Sequence, residues 1–298
     1  MKQLIVLLGV AGASLSAVFV RWSTAPALVL VFYRMAITAA LMTPAVALRC
    51  RKELTGLHRR EVLLCVVSGV ALGLHFTCYF ASLRFTSIAA SVVLVDTEVL
   101  FVALATVVLW RKRLPRRQWC AILLAFGGSV VVAMADSASG GADALLGDGL
   151  ALLGAVFVAV YTMIGSVCRR TVSTTAYTYL VYLTAGSTVL LAALVRGTPL
   201  AGYGAVNLWM ALGLAVFSTL LGHSVFSWGL KYLPAAFVAM AKLMEPVMAA
   251  VWGVLLFREM PGWPVLLGGG AIIAGLALYT RADHTETGPV QAGKEQES

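Results

Sequence analysis

The chain has 298 residues, of which 60% are hydrophobic and 12% are charged, with a formal net charge of +9 and a mean hydropathy of +0.92. A soluble domain carries roughly twice that share of charged residues, so the composition indicates an integral membrane protein. The positive charge predicts no nucleic-acid partner, because the Lys and Arg residues fall in short loops between apolar runs instead of forming a basic patch.

Cutting the chain at charges, prolines and polar clusters predicts ten membrane helices, since a membrane helix needs roughly 20 mostly apolar residues. The first run also resembles a secretory signal peptide, because Lys2 precedes an apolar stretch with several small residues. We interpret it as the first membrane helix, which serves the same targeting role. The ten predicted helices cover residues 3–20, 27–48, 61–83, 85–110, 117–135, 147–168, 175–195, 206–229, 232–257 and 263–280.

The polar segments between and after these helices divide the chain. Residues 1–135 form a first unit of five helices, and residues 149–281 form a second. Residues 136–148, DSASGGADALLGD, are a predicted extracytoplasmic linker, and residues 282–298 are a predicted disordered cytoplasmic tail.

The distribution of basic residues predicts the orientation, because Lys and Arg accumulate on the cytoplasmic side of a membrane. Placing both termini in the cytoplasm puts 16 of the 22 basic residues there. We therefore expect a multi-pass protein of a bacterial cytoplasmic membrane, with its lipid bilayer as one partner. A homodimer is left open by the sequence.

An odd number of helices per unit means that the second unit crosses the membrane upside down. A constant offset of 147 residues aligns Arg84 with Lys231, Glu98 with Glu245, and Gly128 with Gly275. Inverted repeats of this kind are the architecture of many secondary transporters, with the substrate site near the bilayer midplane.

Six stretches of the chain follow a known family pattern: SLSAVFVRWSTAPALVLVFYRM, SLRFTSIAASVVLV, LLGDGLALLGA, LLGHSVFSWGLKYL, LMEPVMAAVWGVLLFREM and GGGAIIAGLAL. They resemble the EamA branch of the drug/metabolite transporter superfamily, over nearly the whole chain from Leu4 to Tyr279. The resemblance implies ten helices in two inverted five-helix EamA repeats, and a metabolite exporter with a central cavity lined chiefly by the third, fourth, eighth and ninth helices.

The first repeat departs from that family pattern. Val99 stands where the second repeat has Pro246, Lys112 replaces a terminal glutamate that the second repeat keeps as Glu259, and Asp96 and Glu98 occupy positions that are normally uncharged. These departures alter the surroundings of the cavity, so the resemblance predicts no particular substrate.

Five charged residues lie inside predicted helices and away from their ends, where each is costly unless it faces the bundle interior or a watered cavity. They are Arg34, Asp96, Glu98, Lys242 and Glu245. Lys242 and Glu245 are three residues apart and share a helix face, whereas Asp96 and Glu98 point about 200° apart. We expect Glu98 to face the cavity opposite Glu245, and Asp96 to face a neighbouring helix, with Arg34 as its partner.

Two interpretations of these charges remain open. In the first, Glu98 and Glu245 line the substrate path, Lys242 modulates them, and a carboxylate carries a proton in exchange for substrate. In the second, the charges form a static network that holds the helices together.

Four further residues are candidates for the same cavity. His75 and His223 lie near equivalent positions on the third and eighth helices, missing the offset by one residue. Tyr79 and Trp228 lie one turn further along and could stack on a planar substrate, although such side chains more often pack between helices.

The sequence thus predicts a secondary-active transporter that exports a small polar metabolite, such as an amino acid or amine, by alternating access. Either proton exchange or the gradient of the substrate itself is the expected driving force, and the excess of buried acids slightly favours a cargo with a positive group. No catalytic or metal-binding motif occurs, and the five cysteines show no ligand spacing, so we expect no cofactor, no metal and no enzymatic activity. An integral-membrane enzyme or ligand sensor with a buried acidic site is the alternative.

Overall fold

The computed structural model describes residues 1–82, 85, 88–134, 144–258 and 260–286, and these are helical apart from short turns. Arg84, the linker residues 136–143, Glu259 and the tail residues 287–298 lie outside the described residues. We label the membrane helices α1 (Lys2–Ser14 and Ser16–Trp22), α2 (Ala27–Arg49), α3 (Arg59–Ser82), α4 (Ile88–Asp96 and Glu98–Val108), α5 (Arg116–Met134), α6 (Ala144–Cys168), α7 (Thr174–Val195), α8 (Ala205–Gly213, Leu214–His223 and Ser224–Gly229), α9 (Ala235–Lys242, Glu245–Trp252 and Gly253–Phe257) and α10 (Trp263–Glu286).

The all-helical membrane fold is confirmed. Nine helices in the described part of the chain are long and apolar enough to cross a membrane. The tenth, α5, begins with Arg116, Arg117 and Gln118, and its apolar remainder packs closely against α10. Large apolar side chains such as Leu123 and Leu266 are more than half exposed, which suits a surface covered by lipid.

Two predicted boundaries differ from the structure. α6 begins at Ala144, so the last five residues of the predicted linker are helical. α10 continues to Glu286, five residues into the predicted tail. In both cases the additional residues extend a long helix, which costs little because each added residue contributes a further backbone hydrogen bond.

The contact between α5 and α10 shows the symmetry of the two repeats. A Cβ atom added to Gly128 would lie 2.5 Å from the carbonyl oxygen of Gly268, and one added to Gly275 would lie 2.7 Å from that of Ala121. The offset of 147 converts the first of these contacts into the second. This exchange is what a pseudo-two-fold axis between the repeats requires, so the ten helices form two inverted five-helix repeats.

Close approach of helices also shapes the rest of the bundle. Cβ atoms on Gly69 and Gly73 of α3 would lie 2.6 and 2.7 Å from the Cβ atoms of Thr184 and Thr188 on α7. Such contacts gain van der Waals energy where apolar burial gives little, since lipid is as apolar as the helix surface. They hold α3 firmly beside α7, and α3 carries His75 and Phe76 into the centre.

Replacing Gly128 by Val should destabilise the protein, because the added methyl groups would force α5 away from the backbone of α10. Overpacking of this kind costs about 1–3 kcal/mol. The measurement is the melting temperature in detergent, followed by size-exclusion chromatography after heating.

Gly127→Val is the matched control, because nothing lies within 4 Å of a Cβ atom at the neighbouring Gly127. Equal melting temperatures for the two variants would contradict the close contact between α5 and α10.

Candidate functional site

Helices α4 and α9 are both interrupted near their middle. α4 breaks at Thr97, between Asp96 and Glu98, and α9 breaks at Leu243 and Met244, just before Glu245. Glu98 and Glu245 therefore each begin a second half-helix. A carboxylate in the first turn of a helix is favoured by the helix dipole, typically by about 0.3–1 kcal/mol at a surface.

The two interruptions have the same hydrogen bonds. The amide of Thr97 donates to the carbonyl of Leu94 at 3.3 Å, and the amide of Met244 donates to that of Ala241 at 3.1 Å. Each bond spans three residues, as in a 3₁₀ turn, and each converts into the other by the offset of 147.

Only the second interruption contains a proline. In α9, Pro246 lies in the first turn of the half-helix that Glu245 begins. In α4 the position belongs to Val99, and the Thr97 hydroxyl instead donates to the carbonyl oxygen of Leu94. Such local side-chain bonds compete with helical backbone bonds, which accounts for a break without proline.

The centre of the site is an ion pair between the two repeats. Lys242 Nζ lies 2.8 and 3.0 Å from the two carboxylate oxygens of Glu98. The Thr162 hydroxyl of α6 donates to Glu98 Oε1 at 2.6 Å. Glu98 is only 6% exposed, so this ion pair is largely shielded from solvent.

Lys242 and Glu245 do not pair, although they are three residues apart. Lys242 ends one half-helix and Glu245 begins the next, with the turn at Leu243 and Met244 between them in the chain. Aromatic rings flank the Lys242 ammonium instead, with the ring centres of Phe226 and Tyr161 at 5.9 and 6.0 Å. Glu245 forms no ion pair with any described residue.

The predicted pairing of Asp96 with Arg34 is wrong. Asp96 does face a neighbouring helix, but its carboxylate accepts a hydrogen bond from the Ser129 hydroxyl of α5. Arg34 projects from α2 toward α8, where its Nε donates to the Thr219 hydroxyl at 2.6 Å. The Asp96 carboxylate is thus bound by α5, whereas the Arg34 guanidinium is bound by α8.

The histidines and the two other aromatic candidates differ in their surroundings. His75 Nδ1 lies 3.0 Å from the carbonyl oxygen of Gly154, and its ring stacks on Tyr79, so both belong to the contact between α3 and α6. The His223 ring meets Phe226 edge-on. Trp228 packs against Tyr232 beyond the end of α8, away from the ion pair.

Several residues of the site carry no signal in the sequence. Thr162, Ser129 and Thr219 are single hydroxyls within long apolar helices, where such residues commonly bond to their own backbone. The partner of each lies on another helix, 64, 33 and 185 residues away along the chain. The repeat offset did not identify them either, since the position equivalent to Thr162 is Leu15.

The fold and the buried charges define a polytopic transporter built from inverted repeats. Residues 1–134 and 145–281 match the EamA-like transporter family. The chain therefore belongs to this family, and it is a transporter of the drug/metabolite type.

Related proteins agree with this assignment. The pseudopaline exporter of Pseudomonas aeruginosa is 27% identical over 262 residues, covering 87% of this chain and 88% of that protein. An uncharacterized transporter of Archaeoglobus fulgidus is 24% identical over 261 residues, covering 86% of this chain and 88% of that one. A solved crystal structure has the same fold, with a TM-score of 0.79 over 96% of this chain and 99% of that chain at 19% identity.

Changing either partner of the central ion pair should destabilise the protein, because it leaves a buried charge uncompensated. Breaking such a pair from one side costs about 3–5 kcal/mol. We expect Glu98→Gln and Lys242→Gln each to lower the melting temperature, and the double variant to lose less than the sum of the two.

The double-mutant cycle is measured by thermal unfolding in detergent, with Lys231→Gln as the control for loss of a charge. Lys231 is exposed and lies beyond the end of α8. Additive effects at Glu98 and Lys242 would contradict the ion pair.

Proposed function

We propose that the protein is a secondary-active transporter that exports a small polar metabolite by alternating access, with Glu98 and Lys242 at the substrate site. The ion pair between them carries this proposal. It joins a helix of the first repeat to a helix of the second, at the two places where those helices are interrupted. In alternating access the repeats move against each other around a fixed site.

The ion pair between Glu98 and Lys242 is suited to forming and breaking during the transport cycle. Its partners belong to different repeats, so a movement between repeats separates Lys242 from Glu98 and leaves both charges to be compensated. A charged substrate or a proton can provide that compensation, because a carboxylate in a low-dielectric site is neutral once protonated. A static lock between helices is the competing role of the same pair.

Proton exchange is the proposed coupling. Glu98 is the candidate carrier, since protonating it would release Lys242. Glu245 begins the equivalent half-helix of α9 and has no cation bound among the described residues, which makes it the candidate for a second carboxylate on the path. Asp96 is bonded to Ser129 on the far side of α4, so we assign it a supporting role.

The direction and location are part of the proposal. One relative is named an exporter, and the basic loops favour a bacterial cytoplasmic membrane with both termini inside. Transport in an outward direction from that membrane would deliver the cargo to the periplasm or the medium. A ligand sensor with the same buried acids is the remaining alternative, and it would bind cargo without moving it.

Glu98→Gln should abolish gradient-dependent export, because glutamine has the size of glutamate but binds no proton at physiological pH. Bacteria expressing the wild type or the variant, matched for membrane protein level, are compared by mass spectrometry of medium and cell extract. The wild type alone should shift a compound from cell to medium, and a protonophore should remove the shift.

Glu53→Gln is the matched control, because Glu53 lies outside the predicted membrane region. The side-chain oxygen of the substituted glutamine can still accept the hydrogen bond that the Ser173 backbone amide donates to Glu53. Identical shifts from wild type and Glu98→Gln would leave export standing and make the ion pair structural. No shift from the wild type would contradict export and favour the sensor.

A fluorescent protein fused to the C terminus should fluoresce and an alkaline phosphatase fusion should be inactive, because the first folds in the cytoplasm and the second requires the periplasm. The same pair fused within the α7–α8 loop, at Thr198, should give the opposite result. Active phosphatase at the C terminus would contradict the proposed orientation.

A further inference from the structure

A second polar centre lies beside the ion pair, around Arg34. This side chain is 4% exposed, and its Nη2 atom is fully buried without any hydrogen-bond partner in the described structure. Its Nε atom donates to Thr219, a neutral hydroxyl. That hydroxyl in turn donates to the carbonyl of Leu214 at 3.1 Å. Arg34 thus keeps a full positive charge with a donor that nothing accepts.

A second buried arginine, Arg169, has a hydrogen-bond acceptor for each of its guanidinium nitrogens. Arg169 is 2% exposed, and its Nε atom donates to the carbonyl of Ser227 at 3.0 Å. Its two terminal nitrogens donate to the Val172 carbonyl and the Thr174 hydroxyl. All three nitrogens of Arg169 donate hydrogen bonds, whereas the Nη2 atom of Arg34 has no acceptor among the described residues.

His223 adds a second unused polar atom next to Arg34. Its Nδ1 atom is buried and has no partner among the described residues. Both side chains contact the same ring, because the Arg34 guanidinium lies 5.1 Å from the centre of Phe76 and the His223 ring lies 6.0 Å from it, edge-on. Two buried nitrogen atoms that are able to donate therefore belong to side chains that contact the same ring, Phe76.

This arrangement is the recognition chemistry of a carboxylate. A guanidinium presents planar donors that match carboxylate oxygens, and its attraction is strong where water is excluded. His223 can supply a further donor in the tautomer with its proton on Nδ1. The Phe76 ring lies against the guanidinium and accepts none of its hydrogen bonds, so the Nη2 donors stay available to a ligand.

The position of this centre connects it with the ion pair. The His223 ring packs edge-on against Phe226 at 5.9 Å, and Phe226 lies 5.9 Å from Lys242 Nζ. Phe76, His223 and Phe226 thus form a row of rings between Arg34 and the Glu98–Lys242 pair. A molecule lying along this row would contact both centres.

We propose that Arg34 and His223 form a binding subsite for a carboxylate group of the exported metabolite. This subsite rests on the proposed export function and specifies its cargo as a compound with at least one carboxylate. The rest of the cargo lies along the ring row toward the Glu98–Lys242 pair, where a positive group would compete with Lys242 for the Glu98 carboxylate. The cargo class that fits both ends is a zwitterion or an amino carboxylate.

Phenylacetate and phenylacetamide test the subsite directly, because they share size and ring and differ in the carboxylate. The melting temperature of the purified full chain is measured in detergent with increasing amounts of each, at fixed chloride and ionic strength. Phenylacetate should raise it saturably by several degrees and phenylacetamide should not, because a ligand stabilises the state that it binds.

Arg34→Gln should weaken the apparent affinity for phenylacetate at least about tenfold, as expected for loss of a charged hydrogen bond. Arg170→Gln, which removes an exposed arginine, should leave it unchanged. His223→Phe keeps a ring against Phe76 and should weaken binding several-fold, and it serves if Arg34→Gln does not fold. Equal stabilisation by the amide, or an unchanged response in both subsite variants, would overturn the proposal.

The mass spectrometry of medium and cell extract distinguishes a failure of this proposal from a failure of the export function. Export of a compound that lacks a carboxylate would overturn the subsite and leave export standing. Stabilisation by phenylacetate through Arg34, with no compound exported, would support the subsite and contradict export.

Discussion

A charge inside a membrane bundle needs partners from the bundle itself, and Glu98 obtains them from two other helices. Lys242 supplies the opposite charge and Thr162 supplies a hydroxyl, so the carboxylate draws α4, α6 and α9 together. Lipid could not replace these contacts at that depth without a large desolvation cost. The position of the other site residues follows from this contact, because α9 must bring Lys242 beside α4.

The interrupted helices make that contact geometrically available. A continuous helix would place Lys242 and Glu245 on one face, and the pair across the repeats would compete with a pair along the helix. The turn before Glu245 separates them and directs Lys242 to Glu98. The equivalent turn at Thr97 places Glu98 at the start of a half-helix, where the helix dipole also favours its negative charge.

The buried polar residues fall into two groups with different degrees of satisfaction. Asp96, His75 and Arg169 have described partners that fix one helix against another, as structural polar groups do. Arg34 and His223 each have a buried nitrogen atom with no hydrogen-bond partner in the described structure. A membrane protein gains no stability from such unused donors, and this is the basis of the proposed carboxylate subsite.

The sequence by itself determined the membrane class, the ten helices, the offset of 147 and the equivalence of Glu98 with Glu245, because hydropathy and repetition are properties of the chain taken in order. It did not determine which charges pair. From the sequence, Lys242 could pair with Glu245, and Arg34 could pair with Asp96. Only the packing of helices far apart in sequence decided that Lys242 pairs with Glu98 and that Arg34 donates to Thr219. The reason is physical: within an apolar bundle, a single hydroxyl or charge meets its partner across a helix contact, and many alternative contacts share the same apolar pattern.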